Sequence, residues 1–168
     1  MKVVIINGYP QSGKDTFIDQ VEILGGDLNL SIARVWASTP AKYALTELGW
    51  EGDIKSEEIR RALAILKDLS DVLFDGTAKH LTLAVNELRG SEIDLLFIHA
   101  RKPSEIARFK KMFDAKTLLI DRHSVRKEYN NDSDNNVLQY DYDYTIPNNG
   151  SIICLKSEAY EWLLKEVL

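Results

Sequence analysis

The 168-residue chain has a formal charge of −5, with 45% apolar and 28% charged residues, an ordinary globular composition sized for one domain. That balance excludes nucleic acid and anionic membrane as partners of the whole surface, so any phosphate-handling cations must act as a local cluster. A single cysteine, Cys154, excludes an internal disulfide and a cysteine-based metal cage, and no apolar run approaches the roughly 18 residues of a membrane span.

Val3 to Ile6 is a β-branched run that reads as a strand buried on both faces, and it is too short for the apolar core of a leader peptide. The expected location is therefore the cytoplasm. Phe17, Ile18, Val21 and Leu24 recur at helical spacing, which predicts a helix over 15–24 stopped by Gly25 and Gly26. A second strand follows over 31–36. Pro40 opens a helix that runs to Leu48, with Gly49 at its end.

Ser56 reads as the N-cap of a long helix, with Glu57 and Glu58 complementing its N-terminal dipole. Ile59, Leu63, Leu66 and Leu73 supply its apolar face. Further helices are expected over 77–88 and 103–113, strands over 95–98, 117–120 and 144–146, and a closing helix capped by Ser157 and Glu158. Cys154 lies in the apolar run 151–155, which reads as a buried thiol. Strands alternating with helices imply a three-layer α/β fold with a central parallel sheet of about five strands.

The connection from Arg122 to Tyr142 differs from the rest. It is polar, rich in Asn and Asp, and at roughly 20 residues far longer than usual, which marks a lid-like segment over about 122–142. Asp132 and Asp134 resemble the start of a calcium loop, but Val137 stands where that loop needs glycine. His80, His99 and His123 show no metal-ligand spacing.

The chemistry concentrates at Gly8-Tyr-Pro-Gln-Ser-Gly13-Lys14-Asp15-Thr16, between the first strand and the first helix. The pattern G-x-x-x-x-G-K-[ST] cradles phosphates on backbone N–H groups, and its lysine reaches the β- and γ-phosphates. Gly8, Gln11, Ser12, Gly13 and Lys14 are thereby candidate ATP contacts. Asp15 departs from the pattern, because a magnesium-binding hydroxyl is expected there. Either Asp15 holds Mg2+ as a carboxylate, directly or through water, or Thr16 compensates.

The run Ser12-Gly-Lys-Asp-Thr16 resembles the deoxynucleoside monophosphate kinases of phages, which carry Ser-Gly-Lys-Asp in this loop. It is similar, more loosely, to the wider nucleoside monophosphate kinase group and to phosphomevalonate kinases of the animal type. Arg101-Lys-Pro-Ser-Glu105 resembles the Arg-x-Pro-x-Glu element of the phage-like enzymes. Tyr142-Asp-Tyr-Thr-Ile-Pro-Asn148 is similar to a segment of guanylate-kinase-like enzymes that lies near the donor adenine. The resemblance implies a P-loop NTPase fold and phosphoryl transfer from ATP to a nucleoside or deoxynucleoside monophosphate. It also implies that Asn148 lies beside the donor and Arg101 beside the substrate. Phage-type enzymes commonly carry an Asp just before that Arg, whereas here the strand ends Phe97-Ile-His99-Ala100, without an acidic residue at the Walker B position.

Phosphoryl transfer needs positive charge on both donor and acceptor phosphates. Ser38 and Lys42, at the start of the Pro40 helix, can bind an anion or simply cap and flank the helix. Arg60 and Lys67, seven apart on the long helix, share a face that either grips an acceptor or is merely solvated. Arg122 and Arg126, with Lys127 a weaker candidate, open the long connection and suit a lid that clamps the transferring phosphate. Kinases of other small phosphorylated acceptors, and binding modules with little transferase activity, remain open readings. So do monomer and homodimer.

Overall fold

A computed structural model describes residues 1–52, 56–126 and 135–168. The chain falls into two compact units, residues 1–34 with 91–168, and residues 35–90. Five strands form one sheet in the order β2-β3-β1-β4-β5: β1 (Lys2–Asn7), β2 (Ile32–Trp36), β3 (Leu95–His99), β4 (Lys116–Asp121) and β5 (Tyr144–Pro147). β1 pairs in parallel with both β3 and β4, and β4 with β5. The fold is three-layer α/β.

The first unit is built around the apolar runs of β1, β3 and β4, whose side chains alternate between the two faces of the sheet. Val4, Ile6, Leu95, Phe97, Leu118 and Ile120 point to one face. There they meet Phe17, Ile18 and Val21 of α1 (Lys14–Asp27) and Leu155, Trp162 and Leu163 of α6 (Ile152–Glu166). Phe17 and Trp162 meet edge to face with centroids 5.7 Å apart. On the opposite face α5 (Pro103–Phe113) buries Ile106, Phe109 and Phe113 and packs on β1 and β4.

Three expectations fail here for physical reasons. Gly25 and Gly26 do not end α1, which runs on to Asp27. A Cβ on Gly25 would overlap Ile32 Cδ1, so this glycine permits a close approach of helix to strand rather than a helix stop. The closing helix is capped six residues before the expected cap Ser157, at Ser151, whose hydroxyl accepts from Cys154 N. The apolar run that suggested a buried thiol is therefore the first turn of α6, and Cys154 is exposed.

The second unit contains α2 (Thr39–Glu47), α3 (Glu57–Phe74) and α4 (Gly76–Arg89), packed on one another. Ser56 caps α3 as expected, accepting from Ile59 N at 3.3 Å. Pro40 sits in the first turn of α2, and Gly49 beyond its end adopts a φ of 98°. No residue of α3 is fully buried. Leu73, expected on its apolar face, is 58% exposed, whereas Ile59, Leu63 and Leu66 are half-buried.

Candidate functional site

The loop between β1 and α1 is held in a shape that requires its residue types. Gly8 and Gly13 have φ of 152° and 93°, and Gln11 accepts a left-handed φ of 64°. Gly13 is doubly constrained, because a Cβ there would also overlap the Asn148 amide nitrogen. Ser12 N donates to Tyr9 O at 3.1 Å, which tightens the turn. The first intrahelical bond of α1 is Phe17 N to Gly13 O at 2.8 Å, so the N–H groups of Asp15 and Thr16 have no acceptor within the helix.

These amides face the loop together with the positive end of the helix dipole, the arrangement that favours an anion. Lys14 Nζ donates to Gly8 O at 2.7 Å and to Tyr9 O at 2.9 Å, which sets its ammonium across the loop. The Ser12 hydroxyl is fully buried and has no hydrogen-bond partner among the described residues. Thr16 is half-buried, and Asp15 is largely exposed.

Around the loop runs a polar network that local sequence does not reveal. Asn7 is fully buried. It accepts from Gly8 N at 2.8 Å and donates to Arg101 O at 3.1 Å and to the Tyr142 hydroxyl at 2.7 Å. Tyr142 in turn donates to Val137 O at 2.8 Å, and burial pushes its pKa up to about 12. Asn148 donates from Nδ2 to Ser12 O at 2.8 Å, while its backbone N–H donates to Asp121 O at 2.7 Å. This expected donor contact thus braces the loop from behind.

Asp143 accepts from Lys110 and from both the amide and hydroxyl of Thr117. Those bonds outweigh its burial and hold the carboxyl below the usual carboxylate range. The segment 142–148 therefore ties β5 to β4, β1 and the loop by side-chain bonds.

His99 ends β3 beside the loop, with Nε2 3.8 Å from Asp15 Oδ1. Burial lowers its pKa to about 4; Asp15 opposes the shift, and Lys14, Arg34 and Arg101 reinforce it. Asp121, buried at the end of β4, is the site residue that the sequence reading missed. It forms a bidentate pair with Arg126, raising that guanidinium's pKa, and lies 3.4 Å from His123 Nε2. An acid that closes an apolar strand five residues before an arginine is the signal that could have found it.

Arg122 is exposed at the end of β4. Val137 is fully buried against Tyr9 and Leu119, with Val125 and Tyr142 packed alongside. The described ends of the long connection are thus anchored; Lys127, Asp132 and Asp134 lie outside the described residues.

The fold brings Gly8, Gln11, Ser12, Gly13, Lys14, Asp15, Thr16 and Asn148 together, with the Arg101 backbone joined through Asn7. Arg122 and Arg126 belong to the same unit, and the remaining candidates to the second. Ser38 precedes α2 but makes no side-chain capping bond, and Lys42 Nζ stands 5.3 Å from the Trp36 ring centre. Arg60 is exposed in the first turn of α3. Lys67 is half-buried and donates to Asp71 at 2.9 Å, and Asp71 also accepts from Thr77 N. Among the described residues no three His, Cys, Asp or Glu side chains are grouped to hold a metal ion, and no helix is long and apolar enough to cross a membrane.

No protein-family model and no curated protein matches this chain. Solved structures similar to it include a cysteine-to-alanine mutant of the Mycobacterium tuberculosis APS kinase CysC, at 16% identity. The match covers 97% of this chain and 96% of that one, with a TM-score of 0.46. An unliganded sugar kinase from Janibacter sp. has 17% identity over 97% and 94% of the two chains, also with a TM-score of 0.46. The APS kinase in complex with AMPPNP and APS gives 18% identity, 97% of both chains and a TM-score of 0.34. At these scores the fold rests on the sheet order and loop geometry of this chain itself.

Proposed function

We propose that the protein transfers the terminal phosphate of ATP to a nucleoside or deoxynucleoside monophosphate. The observation that carries the donor half is Lys14 set across a glycine-shaped loop at the N-terminus of α1. Phosphate oxygens arriving there exchange two neutral carbonyl partners of the ammonium for charged ones, which form the stronger bonds. The buried Ser12 hydroxyl and the amides of Asp15 and Thr16 suit the same anion.

The residues present also fit a magnesium ion, because a largely exposed carboxylate, Asp15, and a hydroxyl residue, Thr16, follow Lys14 in the first turn of α1. When bound, that ion neutralises charge on the phosphate oxygens. Arg122 is assigned the clamp on the transferring phosphate, and Ser38, Lys42, Arg60, Lys67 and Arg101 are assigned the acceptor. Arg126, engaged with Asp121, serves as a clamp only after that pair opens.

The monophosphate acceptor rests on the sequence resemblance, and another small phosphorylated acceptor suits the same loop. One observation favours a second reading, a nucleotide-binding module with little transferase activity: β3 ends in His99 rather than in a carboxylate.

The test is to incubate the protein with ATP, Mg2+ and each common ribo- and deoxyribonucleoside monophosphate, and to follow ADP. Stimulation by one monophosphate above the ATP-only rate is the expected result. ATP binding without stimulation by any of them would favour the second reading or another acceptor. Lys14→Ala is expected to abolish turnover and to weaken ATP binding at least roughly tenfold; unchanged affinity would remove the loop assignment.

A further inference from the structure

The C-terminal end of β3 presents a group that the donor site leaves unused. His99 stands in register with Ile6 of β1, just ahead of the loop, and its side chain is only 11% exposed. Its Nε2 is 3.8 Å from Asp15 Oδ1, too far for a hydrogen bond between them. Two donors each about 2.1 Å from one cation stand roughly 3 to 4.2 Å apart, depending on the angle between them. An imidazole from β3 and a carboxylate from α1 therefore lie at a spacing that one ion bridges.

We propose that Asp15 and His99 form a divalent-cation subsite at the mouth of the loop, and that the imidazole favours first-row transition ions over Mg2+, Mn2+ being the paramagnetic probe of that preference. The proposal rests on the nucleotide-binding reading of that loop and names the ion accompanying the nucleotide. Magnesium is a hard ion that keeps water and oxygen ligands, whereas an imidazole nitrogen suits the later divalent metals.

Charge explains why the subsite depends on the nucleotide. Lys14, Arg34 and Arg101 all act electrostatically on His99. Arg34 is engaged by Asp19 and Glu22, and all three cations oppose a further positive charge beside the imidazole. A divalent ion therefore binds weakly to the protein alone and tightly once a triphosphate brings its negative charge to the loop.

The test is pulsed paramagnetic resonance of Mn2+ on the full chain with a non-hydrolysable ATP analogue. The expected spectrum contains a 14N coupling from the imidazole and a 31P coupling from the phosphates. The nitrogen coupling is expected to vanish in His99→Ala, while Mn2+ affinity in His99→Ala and in Asp15→Asn falls about tenfold or more. The affinity ratio of Mn2+ to Mg2+ is expected to fall with it in His99→Ala.

A 31P coupling without 14N in the wild type would overturn the subsite and leave the nucleotide site standing. Absence of both, with no analogue bound, would remove the nucleotide site and the subsite together. Should His99→Ala fail to fold, the wild-type nitrogen coupling decides the matter alone.

Discussion

Residues 1–34 with 91–168 and residues 35–90 use their apolar side chains in contrasting ways. In the first unit Ile5, Ile6, Phe17, Leu95, Phe97 and Leu118 have no solvent exposure, and the loop they support is braced by Asn7 and Asn148. In the second, the 18 residues of α3 include none that is fully buried, and Ile65, Leu69 and Val72 are more than half exposed. Geometry accurate enough for the proposed phosphoryl transfer needs side chains locked by their neighbours; in the first unit the strands and α1 supply that locking, whereas in the second it falls to α2 and α4, with Ala41, Leu81 and Val85 fully buried, and not to α3. A helix held by half-buried contacts tolerates substitution, which accords with the acceptor role proposed above for Arg60 and Lys67.

The sharpest way to break this comparison is core truncation. Phe17→Ala is expected to cost about 3–5 kcal/mol, because it empties the space between Phe97 and Trp162. Leu69→Ala is expected to change stability by no more than about 0.5 kcal/mol. Urea denaturation measures both, and equal costs would erase the distinction between the units.

The next effect is a pH dependence centred on His99 in the first unit, to which His80 of the second, its pKa also lowered by burial, adds in the same direction. The unfolded chain holds the His99 proton with a pKa of about 6.5, and the folded chain with one of about 4. Between these values the unfolded state binds more protons, so this contribution is complete above pH 6.5 and is lost as the pH falls toward 4. Its full size is up to about 3 kcal/mol. His99→Gln should flatten stability across that window; a parallel profile for mutant and wild type would place the acid sensitivity elsewhere.

A kinetic pair sharpens the comparison further. Arg122→Ala is expected to lower turnover roughly a hundredfold with ATP affinity unchanged, while Arg60→Ala raises the acceptor KM and leaves the ATP parameters alone. Steady-state kinetics with both substrates varied separates these outcomes, and an Arg60 variant with normal acceptor KM would empty α3 of its assigned role. Smaller still is Asn148→Ala, which leaves the Ser12 carbonyl without its buried donor. It should cost about 1–3 kcal/mol and weaken ATP binding, as thermal unfolding and titration would show.

Much of the fold was legible because its signals are local. The apolar runs of β1, β3 and β4, the Ser56 cap, Pro40 in a first turn and the loop between β1 and α1 all declare themselves within a few residues. What escaped depends on contacts remote in sequence. Gly25 reads as a helix stop until Ile32 is seen lying on it. The apolar run around Cys154 reads as burying a thiol until Ser151 is seen capping a helix whose first turn exposes it. Asn148 reads as a donor contact by resemblance, and only the fold lays it against Ser12 O and Gly13. Asp121 escaped because its importance lies in its bonds to Arg126 and to Asn148 N, not in a motif.

The bond from Asn148 to Ser12 joins positions 136 residues apart in the chain. A nascent polypeptide therefore completes β1, α1 and both neighbouring strands of β1 while its loop still lacks the brace behind Gly13. During synthesis the loop therefore gains this brace only after β5 has been made, whereas its own turn bond, from Ser12 N to Tyr9 O, is available from the start.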